Sequence, residues 1–309
     1  MNSDGTNPAV VIEARSLSKY YGDQLVVDDF SVAIEQGEIF GLLGPNAAGK
    51  TTAIRMLCGI VERNAGAVSI NGAAIASARN RIGYVSQRFG QYAELTVWEN
   101  LRFYAEMYRV TDEALLDDLL HRYALKPFRH QRAGNLSGGY QRRLALLCAV
   151  AHDPDVLFLD EPTAGIDPVT RKLLWDEFYA LSARGKTLFV TTHYMEEAQR
   201  CHQLAFIDRG KIIARGTPLT IKQCLGDVAV YAVKFAFNPS VHKALLANEA
   251  VLLVNQFGLE LRIVVANDGS RSQLEQVIAD ETGERLDLVP SELNLEDVFI
   301  ALTQHRKAD

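Results

Sequence analysis

Residues 44–51 read GPNAAGKT, which matches the phosphate-loop pattern GxxxxGK[ST]. An apolar run over residues 38–43 predicts a strand before this loop, and a helix is predicted after it through about Gly59. Exposed backbone N–H groups at the N-terminus of a helix form a site for anions. We therefore expect this loop to cradle phosphates, with Lys50 on the outer phosphates and Thr51 on a Mg²⁺ ion. A glycine turn without function is the alternative.

Residues 156–161 read VLFLDE, in which four apolar residues precede two acids. The apolar residues predict a buried strand, whose carboxyl end would carry Asp160 and Glu161 to the edge of the sheet where ligands gather. We expect Asp160 to bind Mg²⁺, directly or through water. Glu161 is expected to polarise an attacking water as general base. Many strands end in an acid, so this pattern alone is weak evidence for a nucleotide site. Together with a phosphate loop it is strong evidence.

Residues 136–141 read LSGGYQ and introduce another apolar helix. A serine and two glycines at this place predict a second anion site at a helix N-terminus. A nucleotide held by residues 44–51 scarcely needs another such site, so we expect the second site to serve a different phosphate. A helix cap followed by a tight turn is the alternative interpretation.

Strands and helices alternate along most of the chain, which predicts a mostly parallel sheet covered by helices. After Gly226 the predicted order becomes β-α-β-β-α-β, the pattern of a small α+β domain. The predicted fold class is therefore α/β over residues 1–226, followed by a small α+β C-terminal domain over residues 227–309.

The composition excludes several classes of protein. With 309 residues, 48% of them hydrophobic and 23% charged, the chain is not disordered. Its net charge of −6 argues against nucleic acid as the main partner. The four cysteines are scattered without CxxC spacing, and three of them lie in or beside apolar segments, which predicts buried free thiols in a reducing cytosol. We expect neither a signal peptide nor a transmembrane segment, because the longest apolar run, residues 144–151, is too short to span a bilayer. Transport would need another polypeptide as the pore.

With these three segments in order, the chain resembles the nucleotide-binding subunit of ABC transporters over about residues 9–224. The LSGGYQ segment is similar to that family's signature motif, and residues 164–167 (AGID) are similar to its D-loop. Tyr21 resembles the aromatic residue that stacks on adenine, Gln87 the Q-loop glutamine that senses Mg²⁺ and the membrane partner, and His193 the switch histidine at the γ-phosphate.

The resemblance implies a P-loop ATPase core, with an antiparallel part beside the parallel sheet and an inserted helical subdomain at about residues 88–152. It also implies that two such domains sandwich two ATP molecules head to tail, so the partner is a second copy of the chain or a paralogue. The expected cofactors are ATP and Mg²⁺. The resemblance implies nucleotide contacts by Tyr21, Gly44, Pro45, Asn46, Ala47, Ala48, Gly49, Lys50, Thr51, Thr52, Gln87, Ser137, Gly138, Gly139, Gln141, Asp160 and Asp167, catalytic roles for Glu161 and His193, and Mg²⁺ contacts by Thr51, Gln87 and Asp160.

The chain departs from the family pattern at Ala47, where the family usually has glycine. If the position requires a positive φ, alanine costs roughly 1 kcal/mol there. Because the general motif leaves this position free, we favour a neutral variation. Glu161 is intact, so we expect hydrolysis.

Residues 88–92 (RFGQY) and 95–100 (LTVWEN) resemble the branch of the family that powers export through small, separate membrane subunits. This segment is expected to contact the coupling helix of the membrane permease through Phe89, Tyr92 and Trp98. Core packing is an equal alternative for Trp98.

Residues 297–299 (DVF) resemble the C-terminal ending common among drug, antibiotic and lipid-linked exporters. We therefore expect the energising subunit of an exporter, peripheral on the cytoplasmic face of the plasma (inner) membrane. The small C-terminal domain is expected to regulate or stabilise the dimer. A soluble ABC ATPase and an importer ATPase are the alternatives. The transported substance is not readable, because ATPase subunits of this kind do not contact the cargo.

Overall fold

The computed structural model describes residues 9–266 and 271–305, which form two compact units divided after Ile213. The strands that begin in the first unit are β1 (Val10–Tyr21), β2 (Gln24–Glu35), β3 (Ile39–Leu43), β4 (Ala65–Ile70), β5 (Ala73–Ala74), β6 (Ile82–Val85), β7 (Val156–Asp160), β8 (Thr187–Thr192), β9 (Gln203–Asp208) and β10 (Lys211–Gly216). Its helices are α1 (Lys50–Leu57), α2 (Ile75–Ala78), α3 (Val97–Met107), α4 (Glu113–Arg122), α5 (Gly138–Val150), α6 (Pro168–Ala183) and α7 (Met195–Ala198).

Six strands form one sheet in the order β10-β9-β3-β8-β7-β6. Strand β3 pairs in parallel with β8 and β9, and β7 pairs in parallel with β6 and β8. Both β7 and β8 are buried along their whole length, as expected for strands covered on both faces. The prediction of a mostly parallel sheet covered by helices is confirmed.

Four further strands form an antiparallel sheet in the order β2-β1-β4-β5. Side chains from both sheets and from α1 share one core, which includes Phe30, Phe40, Ile54 and Phe158. Helix α1 is therefore anchored from two sides. This anchoring fixes the loop that precedes it.

Helices α3 and α4 lie within the predicted helical subdomain and are separated by a sharp turn. Thr96 and Glu99 form a capping box at the start of α3, with N···O distances of 3.1 and 2.7 Å. The chain then turns at Arg109, whose φ is 63°. Asp112 caps α4 by accepting two backbone N–H bonds of 3.0 and 3.2 Å. The break between the helices is therefore built from a left-handed residue and a new cap.

The second unit is a small α+β layer. Its elements are α8 (Pro218–Lys222), β11 (Ala229–Lys234), α9 (Pro239–Leu246), β12 (Val251–Phe257), β13 (Glu260–Val265), α10 (Arg271–Thr282), β14 (Val289–Ser291) and α11 (Leu295–His305). The strands pair antiparallel in the order β12-β13-β11-β14. Tyr231 and Val233 of β11 pack with α9 and α10 on one face, and Val230 packs with Ile300 of α11 on the other.

The division after Ile213 lies earlier in the chain than the boundary at Gly226 that the sequence suggested. The reason is that α8 packs against α11 and therefore belongs to the second unit. The last strand of the predicted β-α-β-β-α-β order is the short β14, and α11 follows it.

A buried ion pair ties α11 to the sheet of the second unit. Arg262 of β13 donates from Nη2 to Oδ2 of Asp297 at 2.7 Å, and the two residues are 8% and 0% exposed. The guanidinium also donates to Ser291 Oγ and to the carbonyl oxygen of Glu292, at 2.9 and 2.8 Å. Asp297 accepts a further bond from the backbone N–H of Asn294 at 3.2 Å. The acid of the C-terminal DVF segment therefore has a structural contact.

We expect Asp297→Ala to lower the free energy of unfolding of the second unit by about 3–5 kcal/mol, because it leaves a buried guanidinium without its partner. Hydrogen exchange of the backbone amides of α11 and β13 in the full chain would measure this loss. Glu292→Ala, which removes an exposed carboxylate nearby, is the matched control. Equal exchange rates in the two variants would contradict the expectation.

Candidate nucleotide-binding site

The phosphate loop, residues 44–49, joins the end of β3 to the start of α1. A Cβ atom at Gly44 would lie 2.2 Å from the carbonyl oxygen of Ile207, and Gly49 has a φ of 106°. An L side chain fits neither position without strain. The two glycines of the motif are thus required by a close backbone approach and by a left-handed turn.

Lys50 is the first residue of α1 and is only 4% exposed. Its Nζ donates to the carbonyl oxygens of Gly44 and Pro45 at 2.8 and 3.0 Å. The same atom lies 3.3 Å from Oε1 of Glu161. The ammonium group is therefore folded over the loop and connects it to the end of β7.

Asp160 is the last residue of β7 and is fully buried. Its Oδ1 accepts hydrogen bonds from Thr191 at 2.7 Å and from Thr51 at 3.3 Å. Oδ2 is also buried, and no residue within the described part of the chain offers it a hydrogen bond. Burial raises the pKa of Asp160 above its ordinary value, although the bonds from Thr191 and Thr51 oppose this. The carboxylate thus has an unused oxygen in a poorly solvated place.

Glu161 is the point at which the predicted catalytic residues meet. Its Oε2 accepts a hydrogen bond from Nε2 of Gln87 at 3.0 Å and lies 3.4 Å from Nδ1 of His193. Its backbone N–H donates to Oγ1 of Thr191 at 3.0 Å, and its φ is 47°. A glutamate in this left-handed conformation is held there by its surroundings, as is often found at functional sites. The structure therefore brings Lys50, Gln87 and His193 to one carboxylate.

A cavity of about 380 Å³ lies over the phosphate loop. Its lining residues are Gln24, Val26, Asn46, Ala47, Gly49, Lys50, Thr51, Thr52, Gln87 and Glu161. Sequence reasoning did not identify Gln24 and Val26. Gln24 pairs with Tyr21 across the β1–β2 turn, so its place beside the expected adenine-stacking residue was the available signal. Tyr21 itself is 50% exposed, and Nζ of Lys19 lies over its ring at 5.3 Å from the ring centre.

The signature segment and the D-loop are not among the residues that line this cavity. Ser137 precedes α5 without making a side-chain capping bond to any described residue, which weakens the alternative of a simple helix cap. Nothing in the described structure lies within 4 Å of a Cβ built at Gly138, so this helix end is open. Gln141 donates to the carbonyl oxygen of Ala133 at 3.3 Å, and Asp167 caps α6.

The expected permease contacts lie on and before α3. Tyr92 is 52% exposed and meets the ring of Phe103 edge-on at 5.1 Å. Trp98 is half-buried, with the guanidinium of Arg129 at 3.6 Å from its ring centre. Phe89 is also half-buried.

A second cavity of about 360 Å³ lies beside this segment. Its walls include Gln91, Tyr104, Tyr108 and His152. Two buried acceptor atoms of these residues, Oε1 of Gln91 and Nδ1 of His152, have no hydrogen-bond partner in the described part of the chain. This cavity therefore combines apolar walls with unused polar atoms.

Comparison with known proteins decides the family. An ABC transporter family model matches residues 27–164. The chain is 40% identical over 226 residues to "Probable multidrug ABC transporter ATP-binding protein YbhF" of Escherichia coli (strain K12), covering 71% of this chain and 39% of that protein. It is 36% identical over 310 residues to "Nod factor export ATP-binding protein I" of Burkholderia lata, covering 98% of this chain and 100% of that protein.

The chain belongs to the ATP-binding subunits of ABC transporters.

A solved structure of the ATP binding subunit of an ABC transporter matches with a TM-score of 0.65 and 30% identity, covering 70% of this chain and 93% of that one. The prediction of a P-loop ATPase core is confirmed. The names of these relatives describe ATP-binding subunits. This ABC subunit spans 39% of the length of the E. coli relative.

Every helix in residues 9–266 and 271–305 is too short or too polar to cross a membrane.

The alanine that replaces a family glycine in the phosphate loop of this ABC subunit is strained. Ala47 has a φ of 66°, in the left-handed region. The interpretation of Ala47 as a neutral variation is therefore wrong for the backbone, because an L residue costs roughly 1 kcal/mol in that conformation.

We expect Ala47→Gly to raise the free energy of unfolding of the nucleotide-free protein by up to about 1 kcal/mol, since it relieves the left-handed strain. The greater flexibility of glycine in the unfolded chain offsets part of this gain. Urea denaturation measures the difference. Ala48→Gly is the matched control, because Ala48 is buried without a positive φ and should lose stability. A loss of the same size in both variants would count against strain at Ala47.

Proposed function

We propose that this ABC subunit hydrolyses ATP as one of two facing nucleotide-binding domains and thereby energises export through a separate membrane permease. The observation that carries the proposal is the convergence of Lys50, Gln87 and His193 on Glu161, next to the phosphate-loop cavity. Isolated acids at strand ends do not gather such a set. Membership of the ABC family accounts for the position of these residues beside a phosphate loop, because the family is named for binding ATP.

The phosphate loop and Lys50 bind the phosphates of ATP. The backbone N–H groups of the loop, at the N-terminus of α1, would bind the phosphates as hydrogen-bond donors. Lys50 holds the carbonyl oxygens of Gly44 and Pro45, contacts that an incoming β- or γ-phosphate replaces with stronger charge-assisted ones. The ammonium group then moves off Oε1 of Glu161. ATP binding thus prepares the carboxylate.

Thr51 and Asp160 are the residues that fit Mg²⁺. The unused, buried Oδ2 of Asp160 and the neighbouring hydroxyl of Thr51 are hard oxygen donors, the kind that Mg²⁺ prefers. A cation there would lower the cost of the buried charge on Asp160. Gln87, whose Nε2 donates to Glu161 at 3.0 Å, would add its amide oxygen. When bound, Mg²⁺ neutralises charge that develops on the β- and γ-phosphates.

Glu161 acts as general base toward the attacking water. A hydrogen bond from Gln87 holds Oε2 of Glu161, and His193 Nδ1 lies 3.4 Å from the same oxygen, while Oε1 lies 3.3 Å from Nζ of Lys50. His193 is placed to contact the γ-phosphate from the end of β8. We assign adenine stacking to Tyr21, which pairs with the cavity residue Gln24 across the β1–β2 turn.

The signature segment serves the nucleotide of the other domain. Ser137 and Gly138 are exposed and lie outside the cavity of their own chain, so their helix end is available to a facing molecule. One phosphate loop and one signature segment per chain require a second copy or a paralogue. Two ATP molecules then lie head to tail in the interface, with Gly139, Gln141 and Asp167 at its edges.

Export follows from the relatives, whose names describe multidrug transport and Nod factor export. We place the permease contact at Phe89, Tyr92 and Trp98, beside the second cavity, with the subunit peripheral on the cytoplasmic face of the membrane. The unused acceptors of Gln91 and His152 suit an inserted side chain that donates hydrogen bonds. The second unit regulates or stabilises the dimer.

We expect Glu161→Gln to lower ATP turnover by about 10²-fold or more, because it removes the general base. ATP binding should persist, and the dimer should become trapped. Lys50→Ala should weaken ATP binding as well, since Lys50 contacts phosphate before the reaction. Steady-state phosphate release, nucleotide binding and size-exclusion chromatography with ATP measure the three effects. Glu113→Gln, at an exposed glutamate, is the control. Full turnover by Glu161→Gln would remove Glu161 from the role of base.

We expect a multi-spanning protein to be recovered with the Glu161→Gln chain from detergent-solubilised membranes in the presence of ATP. Adding Tyr92→Ala should reduce that recovery, because it truncates an exposed aromatic ring at the proposed contact. Phe237→Ala, which truncates an exposed ring of the second unit, is the control. Recovery of only ribosomes or soluble factors would leave the ATPase assignment intact and overturn the exporter proposal.

A further inference from the structure

Arg142 joins the signature helix to the Q-loop. It lies on α5, and its Nη1 and Nη2 donate to the carbonyl oxygens of Ser86 and Gln87 at 3.2 and 2.6 Å. These are charge-assisted bonds from the planar fork of a guanidinium, which fixes direction as well as distance. A backbone segment bound in this way follows the helix that carries the arginine.

The bound segment is the one that positions Glu161. Strand β6 ends at Val85, so Ser86 and Gln87 lie just beyond the support of the sheet. The Gln87 side chain donates to Glu161 Oε2 at 3.0 Å. Arg142 therefore contacts the backbone of the residue whose side chain orients the proposed base.

The surroundings of Arg142 strengthen this attachment. Burial lowers the pKa of Arg142, while the charges of Glu161 and Asp160 act in the opposite direction. The guanidinium remains charged at any ordinary pH. It is thus partly desolvated, within the field of both acids of the site, and bonded to carbonyl oxygens that no uncharged side chain would hold as firmly.

Helix α5 places Arg142 about one turn from the N-terminal end of the helix. Gly138 is the first residue of the helix, four residues before Arg142, which corresponds to a rise of about 6 Å along one face. Under the proposed function, the N-terminus of α5 faces the nucleotide of the other domain. A shift of that helix end on contact with the nucleotide moves Arg142 by a similar amount.

We propose that Arg142 is a positioning residue that ties Gln87 to the signature helix, so that the geometry of Glu161 in one site depends on the nucleotide bound at the other. This inference rests on the proposed function. It adds a link within one chain between the surface that meets the partner's ATP and the chain's own hydrolytic site. The link consists of α5, Arg142, Gln87 and Glu161 in that order.

The test is a double-mutant cycle between Arg142→Gln and Gln87→Ala, measured as kcat with ATP. We expect Arg142→Gln to lower kcat about 10- to 100-fold, as small losses of alignment do. The affinity of the isolated chain for a fluorescent ATP analogue should change less than about 3-fold, because Arg142 is not among the residues that line the phosphate-loop cavity. In the Gln87→Ala background, Arg142→Gln should lower kcat by no more than about 2-fold.

Two further measurements separate positioning from general stability. Arg142→Lys keeps the charge with fewer fixed donors, and we expect it to restore part of kcat. In Arg142→Gln the Hill coefficient for ATP should fall toward 1 from a wild-type value between 1 and about 2, the limit for two sites. Arg143→Gln is the matched control, since Arg143 is the next residue on α5 and its guanidinium lies over the Tyr140 ring.

Additive losses of kcat in the cycle, or an unchanged Hill coefficient, would overturn this proposal. The proposed function would still stand in that case if the wild-type chain hydrolyses ATP and dimerises with ATP. An equal loss of kcat, ATP affinity and thermal stability in Arg142→Gln would also overturn it, by assigning Arg142 a purely structural role. A wild-type chain without ATP turnover would instead overturn the proposed function, and this inference with it.

Discussion

The parallel pairing of β3, β8 and β7 is the constraint on which the site depends. Leu43 pairs with Thr192, and Asp160 pairs with Thr191, so the three strands end at one level of the sheet. The phosphate loop, Glu161 and His193 each follow directly after one of these ends. A hydrogen-bonded register therefore brings together groups that are far apart in the chain. The core between the two sheets and α1 holds this edge in place.

The same edge concentrates features that oppose stability. Ala47 and Glu161 have positive φ values, and Asp160 is a buried acid with an unused oxygen. Burial raises the pKa of Asp160, so its carboxylate form is disfavoured in the folded nucleotide-free protein. These costs persist because the surrounding strands leave the residues no other conformation. A ligand that supplies positive charge or replaces internal contacts of Lys50 relieves part of them, which is how binding shifts a conformational equilibrium.

The second unit is built on different principles from the first. Its sheet is antiparallel, with α9 and α10 on one face and α11 on the other. Here the buried polar contact, Arg262 with Asp297, holds a helix to a sheet and has no place at the nucleotide site. Asp297, the acid of the C-terminal DVF segment, thus has a role in folding. The polar groups of the nucleotide site thus oppose stability, whereas the buried ion pair of the second unit supports its folding.

The amino-acid sequence by itself determined the phosphate loop, the acids after β7, the signature segment and the alternation of strands and helices. Each of these depends on neighbouring residues: glycines where the backbone turns or approaches closely, and apolar runs with the period of a strand or helix. Only the tertiary structure decided that Gln87 meets Glu161, 74 residues away, and that Arg142 holds the carbonyl oxygen of Gln87. It also decided the sign of φ at Ala47, the place of Gln24 in the cavity and the early division of the two units. Strand register and helix packing set these features, and they join segments between which a local pattern carries no information.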